Sequence, residues 1–552
     1  MKLKKLALRA LGGLMTVALA ACMLTSCNKD GGNSDKLVEN IPSSAVFVFK
    51  MNPQQVFENA GCSVDNGKII LSEKYSDAIR KNAGGAALKI VTEYLTYTEG
   101  LKLDAIMLFS TQESGNDVAL VGLVSDAAPV KAHLKELVGN QKEENGYDVF
   151  NIGGSVVAVS DNMIWIARNM RIIEKHIADA AKSNIASVKG LGEFLAQDNA
   201  LAFAISLPEI NKELKAQGID IEEKLTADGV SSPLAAKLAG VMDYYACGSL
   251  KFEGNTASGE MFLVNEAGER NEFGKILNVI DTGFLANVPA DANGVMAMGN
   301  IADADIKAQI DSSVADYKSR YGNTDGAQYL DLITCWDGTA AFAVECNKLA
   351  VMDPMSMMNM SQNEIVETVF KNLKFVAMVH YPQEIVKNYT DILSDFIQSN
   401  GVAATQAADG LYSVELPDMF NLYYGDRNGY LTFANYEAAG NSMSLADKFA
   451  GKRVAIYGRS EANPVMERFG WNFGSEGMLW LDADAVRLRT ELTGTSANFL
   501  QALIEPLTDI DNLQNLMQYG AEMNGMYDMS DDDYAYDDYY DCYDDAEPAV
   551  EL

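Results

Sequence analysis

The chain has few of the residues from which metal and nucleophilic sites are built. It contains only three histidines in 552 residues, and none has a partner at the spacing of a zinc-binding HExxH helix. Because a site needs several converging groups and not one imidazole alone, we interpret His133, His176 and His380 as structural residues. The sequence predicts neither a metal ion nor a cofactor.

Cysteine is also sparse, and no CxxC pair occurs. Beyond the N-terminal segment the chain has five cysteines, namely Cys62, Cys247, Cys335, Cys346 and Cys542. An odd number without regular spacing indicates neither a zinc site nor a disulfide framework. We expect most of them to be buried as small hydrophobic side chains. Cys335 and Cys346 could meet across an element boundary if their Cα atoms lie close enough.

The motifs of hydrolases and phosphate-binding proteins are missing as well. Gly153-Gly154-Ser155 is not a GxSxG elbow, and Gly451-Lys452 lacks both the upstream glycine and the hydroxyl residue of a phosphate loop. Asp337-Gly338-Thr339 suggests an acid-protease triplet, but its place after a helical run favours a turn. We therefore predict that the protein is not an enzyme, and a triad of scattered residues remains the alternative.

Positive charge is in short supply. Lysine and arginine number 43 against 77 acidic residues, so the net charge is −34 at pH 7. Nucleic-acid binding needs a concentrated basic surface, and no stretch of the chain combines lysine or arginine with interleaved aromatic residues. The sequence therefore argues against nucleic acid as a partner and disfavours anionic lipid headgroups.

The first 27 residues have the composition of an export signal. Basic residues precede an apolar run, 10–24, that is short for a membrane span. The run ends in Leu24-Thr25-Ser26-Cys27, which resembles a bacterial lipobox, where small residues fit the signal peptidase and the cysteine thiol accepts a lipid. We predict a signal peptide over 1–26, lipid attachment at Cys27 and a tether over 27–40. Alternatives are attachment at Cys22, after Leu19-Ala20-Ala21, and an uncleaved anchor.

One pattern of elements occurs twice in the body of the chain. Each copy opens with a turn that leads into a strand, at 41–49 and at 288–296. A helical run then ends in an acidic residue and glycine, at Glu99-Gly100 and Asp337-Gly338, where glycine suits a left-handed helix end. A strand and an amphipathic helix follow in both copies.

The later strands of the two copies keep the same order. They are expected at 147–152, 163–167 and 200–207 in the first copy, and at 412–416, 430–434 and 477–481 in the second. On this alignment the offset grows from about 247 to about 277 residues, which loop insertions in the second copy would explain.

The composition and the repeated pattern define the expected fold. Hydrophobic residues make up 48% and charged residues 22% of the chain, which is typical of folded domains. We predict an α+β fold made by tandem duplication of a unit with a largely antiparallel sheet covered by helices. The two repeat domains are expected over 41–270 and 285–522.

The opening of the first copy resembles a known family. Ile41-Pro42, then Ala45 with alternating apolar residues to Phe49, and a helix that closes in Ala60-Gly61 are similar to the start of a Bacteroidetes lipoprotein family catalogued as domain of unknown function 4836. The resemblance implies a location in the cell envelope and supplies no catalytic residues.

Three features lie outside the repeat pattern. Trp471 is in a loop next to glycine and is a candidate sugar contact, whereas Trp165 and Trp480 fit strand cores. An insertion at 352–360 has five methionines in nine residues, which favours an adaptable loop over a Cu(I) site. The last segment, 523–552, alternates aspartate with tyrosine and is predicted to be a disordered acidic tail.

Together these features predict a lipid-anchored protein of the outer membrane, on the cell surface or on the periplasmic face. We expect its two related domains to bind an envelope protein or another envelope component through loops and apolar patches. One alternative is an extracytoplasmic hydrolase with acidic residues in a cleft between the copies. Another is a glycan-binding surface protein with aligned aromatic residues.

Overall fold

The structure, a computed structural model, covers most of the chain after the N-terminal segment. It describes residues 34–65, 68–78, 80, 98–111, 116–139, 141–152, 154–322, 334–350, 352, 360–399, 401–407, 411–416, 420–437, 441–509, 512, 515 and 518. The predictions for the signal peptide, for Cys22 and Cys27, for most of the methionine-rich insertion, for Cys542 and for the acidic tail lie outside these residues.

The strands are three to ten residues long, and several follow one another without a helix between them. They are β1 Phe47–Met51, β2 Ser63–Asp65, β3 Lys68–Ile70, β4 Leu101–Ser110, β5 Ala119–Val124, β6 Lys142–Glu144, β7 Tyr147–Ile152, β8 Ser155–Val159, β9 Met163–Ala167, β10 Leu201–Ser206, β11 Tyr245–Glu253, β12 Thr256–Val264, β13 Gly294–Met298, β14 Ala340–Glu345, β15 Lys374–His380, β16 Ala404–Gln406, β17 Leu411–Glu415, β18 Asn421–Arg427, β19 Tyr430–Ala434, β20 Val454–Ser460, β21 Gly474–Leu481 and β22 Ala485–Thr493.

The helices are α1 Ser34–Val38, α2 Pro53–Asn59, α3 Ala127–Val138, α4 Met170–Ala180, α5 Lys189–Ala196, α6 Leu207–Ala216, α7 Ile221–Ala227, α8 Ser232–Ala239, α9 Ala304–Tyr321, α10 Asn347–Ala350, α11 Gln362–Asn372, α12 Gln383–Ser399, α13 Ala446–Phe449, α14 Pro464–Glu467 and α15 Phe499–Ile504. Side-chain caps begin several of them, as Asp126 does for α3 and Asn169 for α4.

Apart from the small β2–β3 hairpin, the described strands form one sheet of twenty strands in which every pairing is antiparallel. From one edge to the centre the order is β6-β7-β8-β9-β5-β4-β1-β10-β11-β12. From the other edge it is β16-β17-β18-β19-β15-β14-β13-β20-β21-β22. The halves join where β12 pairs with β22. The predicted α+β fold with a largely antiparallel sheet is confirmed.

The two halves therefore have the same strand order, position by position. This order is what a tandem duplication would produce, and the duplication itself stays a prediction. The order does correct the alignment made from the sequence. The strand at 477–481 belongs to β21, which has the position of β11 and not that of β10. The strand of the second half that has the position of β10 is β20. Helices α6, α7 and α8 stand between β10 and β11, where the second half has only the one-turn α14 between β20 and β21. Between these two strands the first half therefore has the longer connection, whereas the second half has the longer one between β14 and β15, where the first half joins β4 to β5.

The sheet has a core on each face, because side chains alternate along a strand while directly opposite residues share a face. We call face A the face that carries Val48 and Cys247 in the first half and Val295 and Tyr457 in the second. Helices α1, α4 and α5 pack on face A of the first half. The opposite face, face B, is covered by α3 in the first half and by α12 in the second.

The folded body begins earlier in the chain than the sequence predicts. Residues 34–38 form α1, and Leu37 and Val38 are buried at 0% and 3% exposure in the face A core of the first half. Two adjacent apolar residues at the start of the body gain more from burial than from staying in an extended linker. The folded body therefore begins at about Ser34, within the predicted 27–40 tether. None of the helices in the described ranges has the length and apolar character needed to cross a bilayer.

Candidate functional site

A row of exposed apolar side chains crosses four neighbouring strands on face B of the second half. Phe342 on β14 lies opposite Met296 on β13, Met296 lies opposite Ile456 on β20, and Ile456 lies opposite Leu479 on β21. Their exposures are 41%, 46%, 43% and 42%. Single exposed apolar residues are ordinary, whereas a contiguous row of them indicates a binding surface.

A second row, made of glycine, runs beside the apolar row. Gly294 lies opposite Gly458, and Gly458 lies opposite Gly477, each two residues along its strand from the apolar row and therefore on the same face. Glycine weakens a strand interior and often marks a place where another backbone or a ligand comes close. A Cβ atom added at Gly458 would meet no atom within 4 Å, so the space above it is open.

The far side of the glycine row is polar. Ser460 and Ser475 lie opposite each other one step further along β20 and β21, and their Oγ atoms are 2.9 Å apart. Ser460 also lines a pocket of about 250 Å³ with the amide side chains of Asn293 and Asn347. The surface thus passes from apolar, through a flat glycine floor, to hydrogen-bonding groups. We call it the glycine-floored groove.

The first half fills the corresponding place with its own side chains. The strand order matches the glycines to Phe47, Ile205 and Ala246, which lie opposite one another in the same way. In the first half, Phe203 and Gly248 take the positions of Ile456 and Leu479. The ring of Phe203 lies over Gly248, with its Cε1 atom only 2.4 Å from where a Cβ of Gly248 would be. The groove is consequently a property of the second half alone and is not required by the fold.

A pocket of about 580 Å³ lies where residues 74–78 of the first half meet the second half between Gly470 and Asn512. It contains Asp77 and Glu505, but each carboxylate is bound to a cation. The Nζ of Lys74 lies 2.5 Å from Glu505, and Arg80 lies 2.6 Å from Asp77. This pocket lies between the two halves, where the hydrolase alternative places its cleft. Its acidic residues are Asp77 and Glu505, both paired with cations, and Asp509.

His380 and His176 each contact an aspartate. Nδ1 of His380 lies 2.8 Å from Oδ2 of Asp337, whose Oδ1 accepts a hydrogen bond from the Thr339 backbone N–H at 2.8 Å. Gly338, between Asp337 and Thr339, has a φ of +101°, which agrees with the predicted turn. An aspartate that orients a half-exposed histidine is two members of a catalytic triad. Among the described residues, no serine, threonine or cysteine side chain forms a hydrogen bond with His380.

His176 and Asp117 form a buried network on face A. Nε2 of His176 donates to the carbonyl oxygen of Asp117 at 2.7 Å. The carboxylate of Asp117 accepts hydrogen bonds from Ser110, at 2.6 Å, and from Thr111. Burial raises the pKa of this carboxyl group, but these hydrogen bonds and the charges of His176 and Lys175 outweigh burial and lower it. The network ties the loop after β4 to α4. His133 lies half-buried on α3.

The tryptophans and cysteines have mostly the environments expected of structural residues. Trp165 is buried in the core at 1% exposure, and Trp471 is half-buried with its Nε1 donating to the carbonyl of Leu503 at 3.1 Å. The indole of Trp471 is thus held at its edge by the protein, and its role as a sugar contact stays a prediction. All four described cysteines are free, so Cys335 and Cys346 do not form a disulfide. Only Cys247 is fully buried, with its pKa raised by burial to about 12, so the prediction that most cysteines are buried is wrong for the described ones. No cluster of three metal-ligating side chains occurs in the described part of the chain.

Sequence reasoning missed the glycine-floored groove, although a signal for it is present. The segments Gly294–Met298 and Gly474–Leu481 carry apolar residues at successive positions, so both faces of each strand are apolar. In an antiparallel sheet such a strand is either covered on both sides or used for binding. The assignment needed the strand pairing, which places the four side chains side by side, and their exposures, which show that they are not covered.

Comparisons with known proteins give no family. No protein-family model matches the chain, and no curated protein matches it. Among solved structures, crystal form III of TP0453 aligns over 44% of this chain and 87% of that chain, with 11% identity and a TM-score of 0.21. A similarity this weak carries no argument about fold or function. The resemblance to the Bacteroidetes lipoprotein family remains a prediction from the sequence.

Proposed function

We propose that the protein is a non-catalytic lipoprotein of the cell envelope, lipidated at Cys27, that binds an extended segment of a partner protein in the glycine-floored groove. The apolar row Phe342–Met296–Ile456–Leu479 is the observation that carries this proposal. These four side chains are exposed, whereas Leu108, Phe49 and Phe203, at the equivalent positions of the first half, are partly covered.

The layout of the groove favours a polypeptide as the occupant. Apolar side chains of a bound segment would pack on the exposed row, and the glycine floor allows its backbone to approach the sheet closely. Its polar groups would then meet Ser460, Ser475 and the amide of Asn293. Hydrocarbon has no groups to satisfy these donors and acceptors, so a lipid surface fits the apolar row and not the groove as a whole.

The test has two stages. A photo-crosslinking amino acid is placed at Leu479 in the native cells, and the same amino acid is placed at Ile70, which is 48% exposed on the β2–β3 hairpin, as the control. A Cys27→Ala variant tests the anchor, because it should release the protein from the membrane fraction. The protein crosslinked from position 479 and not from position 70 is identified by mass spectrometry and purified.

Binding of that partner is then measured with two matched variants. Ile456→Ser should weaken binding by about tenfold, the effect of losing one buried aliphatic side chain, whereas Ile70→Ser should leave it unchanged. Equal affinities of the two variants would overturn the proposed groove. Crosslinks from position 479 to phospholipid alone would identify the membrane as the occupant and would also contradict it. Retention of the Cys27→Ala variant in the membrane would contradict the lipid site without bearing on the groove.

A further inference from the structure

A pocket of about 360 Å³ lies on face A of the second half, on the opposite side of the sheet from the glycine-floored groove. Its walls include Trp480, Tyr457, Lys448, Lys452 and Arg489. The walls also carry the carboxylates of Glu476 and Glu491, so three cations and two anions give the pocket one excess positive charge in a chain whose net charge is −34.

The aromatic side of the pocket is held in place. Trp480 packs against the face A core, and its Nε1 donates to Oδ2 of Asp482 at 3.1 Å. Lys448 makes an ion pair with Glu476 and also lies 5.0 Å from the ring centroid of Tyr457. These contacts leave the indole of Trp480 with a fixed orientation at the pocket wall.

Two of the three cations have no carboxylate partner among the described residues. The ammonium of Lys452 lies over the indole of Trp480, 5.4 Å from the ring centroid, and makes no ion pair there. Arg489 is exposed and lies directly opposite Met478 in the β21–β22 pairing, likewise without an ion pair. An unpaired guanidinium and an unpaired ammonium facing one cavity can bind one carboxylate together.

The first half again shows that the fold does not require these residues. The strand order matches Trp480 to Ser249, Arg489 to Phe262 and Met478 to Cys247. There, α5 covers the sheet and places Phe194 edge-on against Phe262, with ring centroids 5.2 Å apart. In the second half the corresponding helix, α13, has only one turn, and the space stays open.

We propose that this pocket binds a sugar that carries a carboxylate, with the acid group on Lys452 and Arg489 and the ring against Trp480. Sugars pack the C–H groups of their rings on indole faces, and the Lys452 ammonium can turn from the ring toward the acid group. Glu491, exposed at the pocket wall, supplies an acceptor for sugar hydroxyl groups. The volume lies within the range of small-molecule pockets, about 300–1,000 Å³.

The experiment titrates the mature full-length chain with methyl glucuronide, with methyl glucoside and with sodium sulfate, and follows tryptophan fluorescence and calorimetric heat. The glucuronide should bind saturably, whereas the neutral glucoside should bind at least tenfold more weakly. Lys452→Gln and Arg489→Gln should each reduce glucuronide affinity by about tenfold, since each removes one charged hydrogen bond. Lys275→Gln, at a lysine that forms a surface ion pair with Glu272, is the control and should leave affinity unchanged.

Three results would overturn the proposal. The first is equal binding of the glucuronide and the glucoside, and the second is glucuronide binding that survives both Lys452→Gln and Arg489→Gln. The third is sulfate competing as strongly as the glucuronide, which would indicate a simple anion site without sugar recognition. Trp480→Leu should abolish the sugar-dependent fluorescence change. If that variant fails to fold, the two charge variants still decide the question, because Lys452 and Arg489 lie outside the core.

Discussion

Glu260 on β12 and Arg487 on β22 lie directly opposite each other at the centre of the sheet, and they occupy the same position in their respective halves. Their side chains form an ion pair at 3.6 Å. Arg270 joins the cluster by binding Glu260 at 2.9 Å and Asp484 at 3.2 Å. Equivalent positions of the two halves therefore carry opposite charges. This difference allows the ion pair between β12 and β22, the strands at which the two halves meet.

We expect Glu260→Gln to lower the free energy of unfolding by about 1 kcal/mol, because a partly buried cross-strand ion pair contributes roughly that amount. Urea denaturation at low ionic strength measures the change. Glu253→Gln, at the exposed end of β11, is the control and should have no effect. A loss for Glu260→Gln that is no larger than for the control would show that the charged cluster does not stabilise the join.

Gly458→Val should weaken partner binding without lowering the stability of the fold. A Cβ at Gly458 meets no atom within 4 Å, and valine suits a strand better than glycine does, so we expect stability to stay the same or to rise by about 0.5–1 kcal/mol. The new side chain would stand on the groove floor and exclude a bound backbone. Thermal unfolding and partner binding are measured on the same sample. Undiminished binding with intact folding would mean that the floor is not contacted.

Gly338→Ala is expected to destabilise the second half strongly. The φ of +101° disfavours any side chain, and the new Cβ would lie 2.7 Å from the backbone nitrogen of Ile301. We expect a loss above about 2 kcal/mol in urea denaturation. Gly401→Ala shares the left-handed conformation, with φ of +80°, but has open space, so it should cost only about 1 kcal/mol. Similar losses for both would show that the contact with Ile301 can relax.

Asp117 should make stability depend on pH in the acidic range. Its pKa is lowered in the folded protein because hydrogen bonds and nearby positive charge outweigh burial, so its contribution is complete above the unfolded value of about 4. That contribution is lost as the pH falls below 4 and passes through the folded pKa. At pH 7 we expect Asp117→Asn to cost about 1–3 kcal/mol, and the gap to the natural protein should narrow toward pH 3. A gap that is constant with pH in thermal unfolding would contradict this.

Local features of the fold followed from the sequence, whereas long-range ones did not. The strands at 147–152 and 163–167 were predicted with the bounds that β7 and β9 have, because alternation and turn residues are local signals. The segment at 477–481 was also recognised as a strand, but it was matched to the wrong strand of the first half. The insertion of α6 to α8 shifts the two halves against each other, and only hydrogen-bond pairing shows which strands correspond.

The candidate sites were hidden for a related reason. Gly294, Gly458 and Gly477 lie far apart in the chain, and none of them is part of a recognisable turn motif. Lys452 and Arg489 are ordinary surface cations until the sheet places them around Trp480. Searches for motifs detect residues at fixed spacing, whereas these sites are assembled from residues that face each other across strands.

The burial of α1 limits how far the protein can stand from a membrane. Ser34, the first residue of α1, is seven residues after Cys27, and an extended chain covers at most about 3.6 Å per residue. If Cys27 carries the lipid, α1 begins within about 25 Å of the bilayer surface. A connection this short would keep the protein close to the membrane. The effective concentration of other membrane-bound proteins is high there, so even a weak contact at the groove would be occupied more often.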